Sequence, residues 1–323
     1  NSLMRISTII FPSIPFAAMA CFYGDLLQLL IFLAITAASL IVFLLCGKLL
    51  YVKGAIGSSE TSRSRRRFDA KLLHASTRHS AFRSYLGKEF KLLFRTPVYF
   101  TNCVLSAFIM PIILIVAVIT SLDGVDLSAF LTPQLISSIP NLWAYVLIVS
   151  FLAGSFMGGI NMISATAISR EGSNASFMKY IPVPLTTQIA AKTACGIILS
   201  AIGTWMLIIP AHIVIEYPIY LDVIFVIGSF ISIVMINLFS ILIDMLRPKL
   251  VWEQETAAVK QNMNGFISML MSFMLAAVLF GLLYVGWSHV VWIAVGILFV
   301  QIILTIFLCQ TVKKANTRLL NKI

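Results

Sequence analysis

Residues 169–192, SREGSNASFMKYIPVPLTTQIAAK, gather Arg170, Glu171, Lys179 and Lys192 around Pro182 and Pro184, between two long apolar runs. These residues make no Ser/His/Asp set and no cluster of metal ligands, so hydrolysis is not their chemistry. Their types suit a different task. The middle, NASFMKYI, can form one or two helical turns that present Phe177, Met178 and Tyr180. Pro182 and Pro184 stiffen the exit, because each fixes its own backbone angle. Lys192 marks the return into an apolar segment. A short, stiff, mixed apolar and charged stretch is a surface that a partner protein can push against, whereas a floppy linker transmits no force.

A second polar stretch, DMLRPKLVWEQETAAVKQNMNG at 244–265, carries Asp244, Arg247, Lys249, Glu253, Glu255 and Lys260 with Trp252 among them. Both signs of charge are present, so topology alone does not explain it. It reads either as a second cytoplasmic contact or inner gate, or as internal salt bridges with Trp252 anchored at the membrane interface. Within the apolar run 142–166, GSFMGG places Gly154 and Gly158 four apart on one helix face, where another helix can approach closely. That face suits packing inside a bundle, a subunit interface or a transport path.

Several chemistries are excluded. No GxxxxGK[ST] phosphate loop occurs, so the chain does not bind ATP in the usual way by itself. The four histidines show no HExxH or other ligand spacing, and the five cysteines form no CxxC pair, which leaves no metal site and no disulfide framework. No catalytic residue is assigned.

The elements that position these residues follow from composition. Hydrophobic residues make up 60% of the 323 and charged residues 11%, against roughly 25% charged in a soluble domain. Mean hydropathy is +0.99. Such a chain cannot cover a globule with hydrated surface, and an integral membrane protein follows. A crossing helix needs about 20 apolar residues. Seven runs qualify: 26–47, 97–121, 142–166, 193–215, 221–243, 264–286 and 290–310, none with Asp, Glu, Lys or Arg near its middle. The fold class is therefore all-α, a polytopic bundle of about seven transmembrane helices. Residues 6–23 hold Pro12 and Pro15, which argue against a clean helix, and read as an interfacial segment on the outer face.

The net charge of +11 does not point to nucleic acid, because the basic residues sit in alternate loops. Segments 48–96, 167–192, 244–263 and 311–323 hold twelve, three, three and four Lys or Arg, and the intervening loops hold none. The asymmetry places those four segments, and the C-terminus, in the cytoplasm. Residues 54–68, GAIGSSETSRSRRRF, have linker composition, and Arg65, Arg66 and Arg67 suit anionic headgroups. In AFRSYLGKEFKLLFRTPVYF, residues 81–100, Phe82, Tyr85, Leu86, Phe90, Leu93 and Phe94 recur at helical spacing between Arg83, Lys88, Lys91 and Arg95. This predicts an amphipathic interfacial helix stopped by Pro97. The organisation read here is an end of a preceding membrane unit with one span (1–47), a basic cytoplasmic linker (48–81) and a six-helix unit (82–323). The start at Asn1 leads us to expect the C-terminal part of a longer chain.

The order of charge pair, short helix, PxP and a basic residue opening the next span resembles the coupling loop of ABC-2 type transporter permeases. KEFKLLFRTP resembles the elbow helix that opens that domain, and residues 244–265 resemble a segment of bacterial ABC exporter permeases. The resemblance covers roughly residues 82–310. It implies a permease subunit in a bacterial plasma membrane that moves a substrate outward, with ATP and magnesium bound by a separate ATPase subunit. Arg170, Glu171, Phe177, Lys179, Pro182 and Pro184 would then be the coupling positions, with Asp244, Arg247, Trp252, Glu253 and Lys260 in a second cytoplasmic loop. Membrane lipids and a second permease half or copy are the other partners implied. Two readings from different classes stay open: a secondary transporter driven by an ion gradient, and a membrane scaffold or sensor component that transports nothing.

Overall fold

The computed structural model describes residues 13–48, 80–122, 138–214, 217–320 and 322. Residues 6–12, most of the 48–81 linker and its Arg65, Arg66 and Arg67 lie outside the described residues. Contacts divide the chain into two units. Helices α1 (Ile14–Tyr23) and α2 (Leu26–Cys46) belong to the first, and the described chain from Ser80 onward, apart from residues 120–122, belongs to the second.

Within residues 6–23, where the two prolines argue against a clean helix, the described part forms the regular helix Ile14–Tyr23. Pro15 falls in the first turn of α1, where the absent N–H has no helical acceptor to lose. Gly24, in the left-handed region at φ 66°, then ends α1, and the Asp25 carboxylate accepts from the Leu27 amide at 2.9 Å to start α2. Neither helix has a buried residue in α2's length or α1's, which suits apolar helices whose solvent is lipid.

The second unit begins with α3 (Ala81–Arg95), capped by the Ser80 hydroxyl. Thr96, extended before Pro97 as the proline requires, ends it. The chain continues through a turn at Pro97–Tyr99 and π-helical Phe100–Val104 into α4 (Leu105–Leu122), and the axis before Pro97 meets the axis after it at 88°. Then follow α5 (Leu142–Ile160), 3-10 turns at Ser164–Thr166 and Ser169–Lys179, and α6 (Leu185–Trp205) with its continuation α7 (Ile208–Val214). The break at Met206 and Leu207 follows from Pro210, which has no N–H to offer the Met206 carbonyl. Helices α8 (Tyr220–Leu246), α9 (Glu255–Val259), α10 (Met263–Val285) and α11 (Val290–Leu320) complete the unit. Among the described residues, six helices are long and apolar enough to cross a membrane, or seven if the bent α3–α4 pair counts as one span. The chain is thus an all-helical, multi-pass membrane protein.

Two boundaries differ from expectation. Helix α6 starts at Leu185, directly after Pro184, so Lys192 lies two turns inside a crossing helix and not at its mouth. Helix α8 runs to Leu246, so Asp244 belongs to its last turn and not to a loop. Both side chains are fully buried. The apolar runs misplace these ends because a lone charge in hydrocarbon is costly, and only partners distant in sequence remove that cost.

Helix α8 is the axis of the bundle, touching α5, α6, α10 and α11. Burial of apolar surface does not drive helix association in lipid, so close packing and interhelical hydrogen bonds must. Both are present. Gly154 and Gly158 of α5 face α8 within this chain, where an added methyl would collide with the Ser229 carbonyl and with the Ile236 side chain respectively. Buried polar side chains then tie the helices: Ser155 to Ser232 at 2.8 Å, Gln301 to Ser232 at 3.1 Å, Asn161 to Ser200 at 2.6 Å, Ser164 to Asn237 at 2.6 Å and Ser240 to Ser268 at 2.6 Å.

Gly154→Ala is expected to lower stability by about 1–3 kcal/mol through overpacking. Gly87→Ala, in α3 with open space around the added methyl, is expected to be neutral or stabilising by up to about 1 kcal/mol. Thermal unfolding of the two variants in detergent separates them.

Candidate functional site

The 3-10 segment Ser169–Lys179 is held from behind by side chains of α8, of the 247–262 loop and of α10. Asp244 is the central acceptor. One of its carboxylate oxygens accepts from the backbone amides of Ile168 at 2.6 Å and Ser169 at 3.1 Å. The other accepts from the Asn264 side-chain amide at 2.9 Å and from the Ser169 hydroxyl. Four donors on one buried carboxylate compensate its lost hydration. The same Ser169 oxygen accepts from the Lys249 amide at 2.9 Å, and the Ser169 carbonyl accepts from the Trp252 indole N–H at 2.9 Å.

Trp252 therefore binds protein backbone, which differs from the interfacial anchor considered from the sequence. Its ring lies against Gly172, where a Cβ would come within 2.7 Å of the indole, and Gly172 also sits at φ 56°. Space and backbone angle both demand glycine there.

A second brace is ionic. Lys192 donates to Glu89 at 2.8 Å, to Glu171 at 2.6 Å and to the Ala167 carbonyl at 3.0 Å, which uses all three ammonium protons. Lys88 reaches Glu171 at 2.6 Å. Arg170 donates to the Ile163 carbonyl and the Thr166 hydroxyl, both at 2.7 Å, and its guanidinium stacks over Tyr99 at 5.9 Å. Its 4.0 Å approach to Glu89 is a charge contact without a hydrogen bond, and that Glu89 oxygen has no hydrogen-bond partner. Glu171, outside the crossing helices, is subject to opposed effects. Burial pushes its pKa up, but Lys192 and Lys88 outweigh burial and hold it at about 2.

The proline exit is fixed as well. Gln188, fully buried, donates to the Met178 carbonyl at 3.0 Å and to the Val183 carbonyl at 2.9 Å. Met178 packs into a core with Ile189, Ile241, Met245 and Leu319. So Met178, expected on the presented face, is inside.

The sequence-predicted positions therefore separate. Arg170 is buried and Glu171 mostly so, and both face the braces. Phe177 at 61% exposure, Tyr180 at 80%, Lys179, Pro182 and Pro184 face outward. In the second loop Arg247, Glu253 and Lys260 are exposed and form no ion pair among the described residues, so no internal salt bridges hold that loop. Val251, 90% exposed, adds an apolar side chain to the same end. Glu89, Gln188 and Asn264 were not singled out from the sequence, and Lys88 only as one cation of the amphipathic helix. Glu89 carried a signal: it shares the helical stripe of Tyr85 and Leu93, and all three are buried. That stripe, the one expected against the membrane, packs on α6.

Among the described residues, no three His, Cys, Asp or Glu side chains group as a metal site would require. These hydrogen bonds and ion pairs hold the loop to α8, α6 and α3. Compared with known proteins, the chain matches no family model, no curated protein and no solved structure.

Removing one buried partner leaves the others uncompensated, so Lys192→Met is expected to cost about 3–5 kcal/mol in chemical denaturation. For Glu171 the folded pKa lies below the ordinary glutamate value of 4.5. Its contribution to stability is complete above that value and is lost as the pH falls towards 2. Melting temperature should therefore decline over that window, and Glu171→Gln should flatten the decline.

Proposed function

We propose that this chain is the membrane-spanning subunit of an ATP-driven exporter, and that a separate ATPase docks on the surface formed by residues 173–184. The observation that carries the reading is the split within one short loop. Arg170, Gly172, Met178 and Gln188 are buried as braces, while Phe177, Lys179, Tyr180, Pro182 and Pro184 are left outside. Two exposed aromatic side chains on a stiffened loop are what a protein interface uses as anchors.

The braces also supply a mechanical route. Asp244 and Gln188 connect the loop to α8 and α6, so displacement of the loop is displacement of two helices. A push from the ATPase would tilt these helices about their glycine and serine contacts and alternate access across the bundle. The basic excess on alternate loops supports a cytoplasmic position for this face. In this reading the C-terminal end of α11 is cytoplasmic too, and the membrane is a bacterial plasma membrane.

Ion coupling fits less well. It would need a carboxylate free to load and release an ion along a path. At the loop end, Glu171 and Asp244 are held by fixed donors instead, and Glu89 is held through one oxygen by Lys192.

The test is co-purification from mild detergent with identification of the retained proteins. Phe177→Asp combined with Lys179→Glu should reduce a co-purifying ATPase at least about tenfold, the effect of losing one or two interface anchors. The melting temperature should stay unchanged, because both side chains are exposed. Retention of no ATPase by the unaltered chain, even after cross-linking, rejects the proposal.

A further inference from the structure

At the end of the bundle away from the braced loop, α5, the α6–α7 break and the start of α8 line a half-open cavity of about 510 Å³. That volume is within the range of about 300–1,000 Å³ typical of small-molecule sites. Its walls are apolar: Leu142 and Val149 from α5, Leu207 and Ile208 at the break, Leu221 and Phe225 from α8. One corner differs. Asp222 is the sole charged side chain among the lining residues. Its carboxylate is 15% exposed, accepts from the Tyr217 hydroxyl at 2.9 Å and pairs with His212, whose ring stacks on Tyr217 at 4.2 Å.

We propose that this cavity binds an amphiphile made of an apolar chain and a cationic amine head, with the chain among the leucines and the amine on Asp222. A carboxylate offers about four lone-pair sites, and two are taken by Tyr217 and His212. Asp222 is among the residues that line the cavity, and there apolar walls weaken screening and strengthen attraction to a cation. An anionic head would be repelled, and a neutral hydroxyl would gain only an uncharged hydrogen bond. The Pro210 break contributes directly, since it places Leu207 and Ile208 in the wall.

The inference deepens the export reading, on which it rests only for the fate of the ligand. Binding is measured without any ATPase, so its failure and a failed docking experiment are distinguishable.

The probe is radiolabelled dodecylamine, bound to the purified full chain in a nonionic detergent, with dodecanol and dodecanoate as competitors of equal chain length. Dodecylamine should displace the label at least about tenfold more effectively than dodecanol, a difference of about 1.4 kcal/mol, and dodecanoate should be weakest. Asp222→Asn keeps the size of the side chain and both of its neighbours, and should bring amine and alcohol to within about twofold. Val149→Trp should fill the cavity and abolish displaceable binding. Ala153→Phe serves the same purpose if Val149→Trp lowers the melting temperature. Phosphatidylethanolamine as a further competitor separates the sources: displacement assigns a bilayer lipid amine, and no displacement assigns a free amphiphile. Equal competition by alcohol and amine, an Asp222→Asn variant with the original preference, or full binding after the cavity is filled would each overturn the proposal.

Discussion

Placing the Lys192 ammonium inside a crossing helix is the constraint around which the loop end of the bundle is organised. A lone ammonium there would be several kcal/mol unfavourable. The cost is removed by Glu89 from α3 and Glu171 from the 3-10 segment, and both must come to the lysine. Helix α3 and the loop are therefore drawn onto α6 by the same charge. Asp244 repeats the logic from α8 with the opposite sign, collecting amide and hydroxyl donors from Ile168, Ser169 and Asn264. Each buried charge acts as a fastener between segments that have no reason of their own to meet.

Along the rest of the bundle the fasteners are uncharged. Glycines let α5 and α8 approach, and serine and asparagine side chains join across the gap. Single neutral hydrogen bonds of this kind contribute modestly, on the order of 1 kcal/mol each. The helices are thus linked weakly at many points, while the loop end is linked strongly at two. That gradient of rigidity suits a device in which one end must keep its shape while the helices beyond it shift.

Different parts of this architecture were legible in the sequence to different degrees. The spans could be read because 20-residue apolar runs have few other uses, and Pro97 and Gly154 announced a stop and a close contact. The 169–192 stretch stood out by polarity alone. What could not be read was direction. Arg170 and Phe177 are both plausible surface residues until their partners are known, and Ile163, Thr166 and Tyr99 are partners only in three dimensions. Lys192 and Asp244 looked like boundaries because a charge beside an apolar run normally is one. The cavity was invisible for the complementary reason: it consists of ordinary leucines and valines, made a site only by how three helix ends diverge.

The braced loop also has an order of assembly. Glu171 and Lys192 are only 21 residues apart, so both are available early in synthesis. Its other supports arrive late: Asp244 lies 75 residues beyond Ser169, and the Trp252 indole 83. While the ribosome is still producing α8, neither the carboxylate behind the segment nor the indole against Gly172 is yet in place. The presented face acquires its final form only once α8 and the following loop have been inserted. If this face is the docking surface proposed above, a partner that recognises its finished form would select for completed membrane insertion.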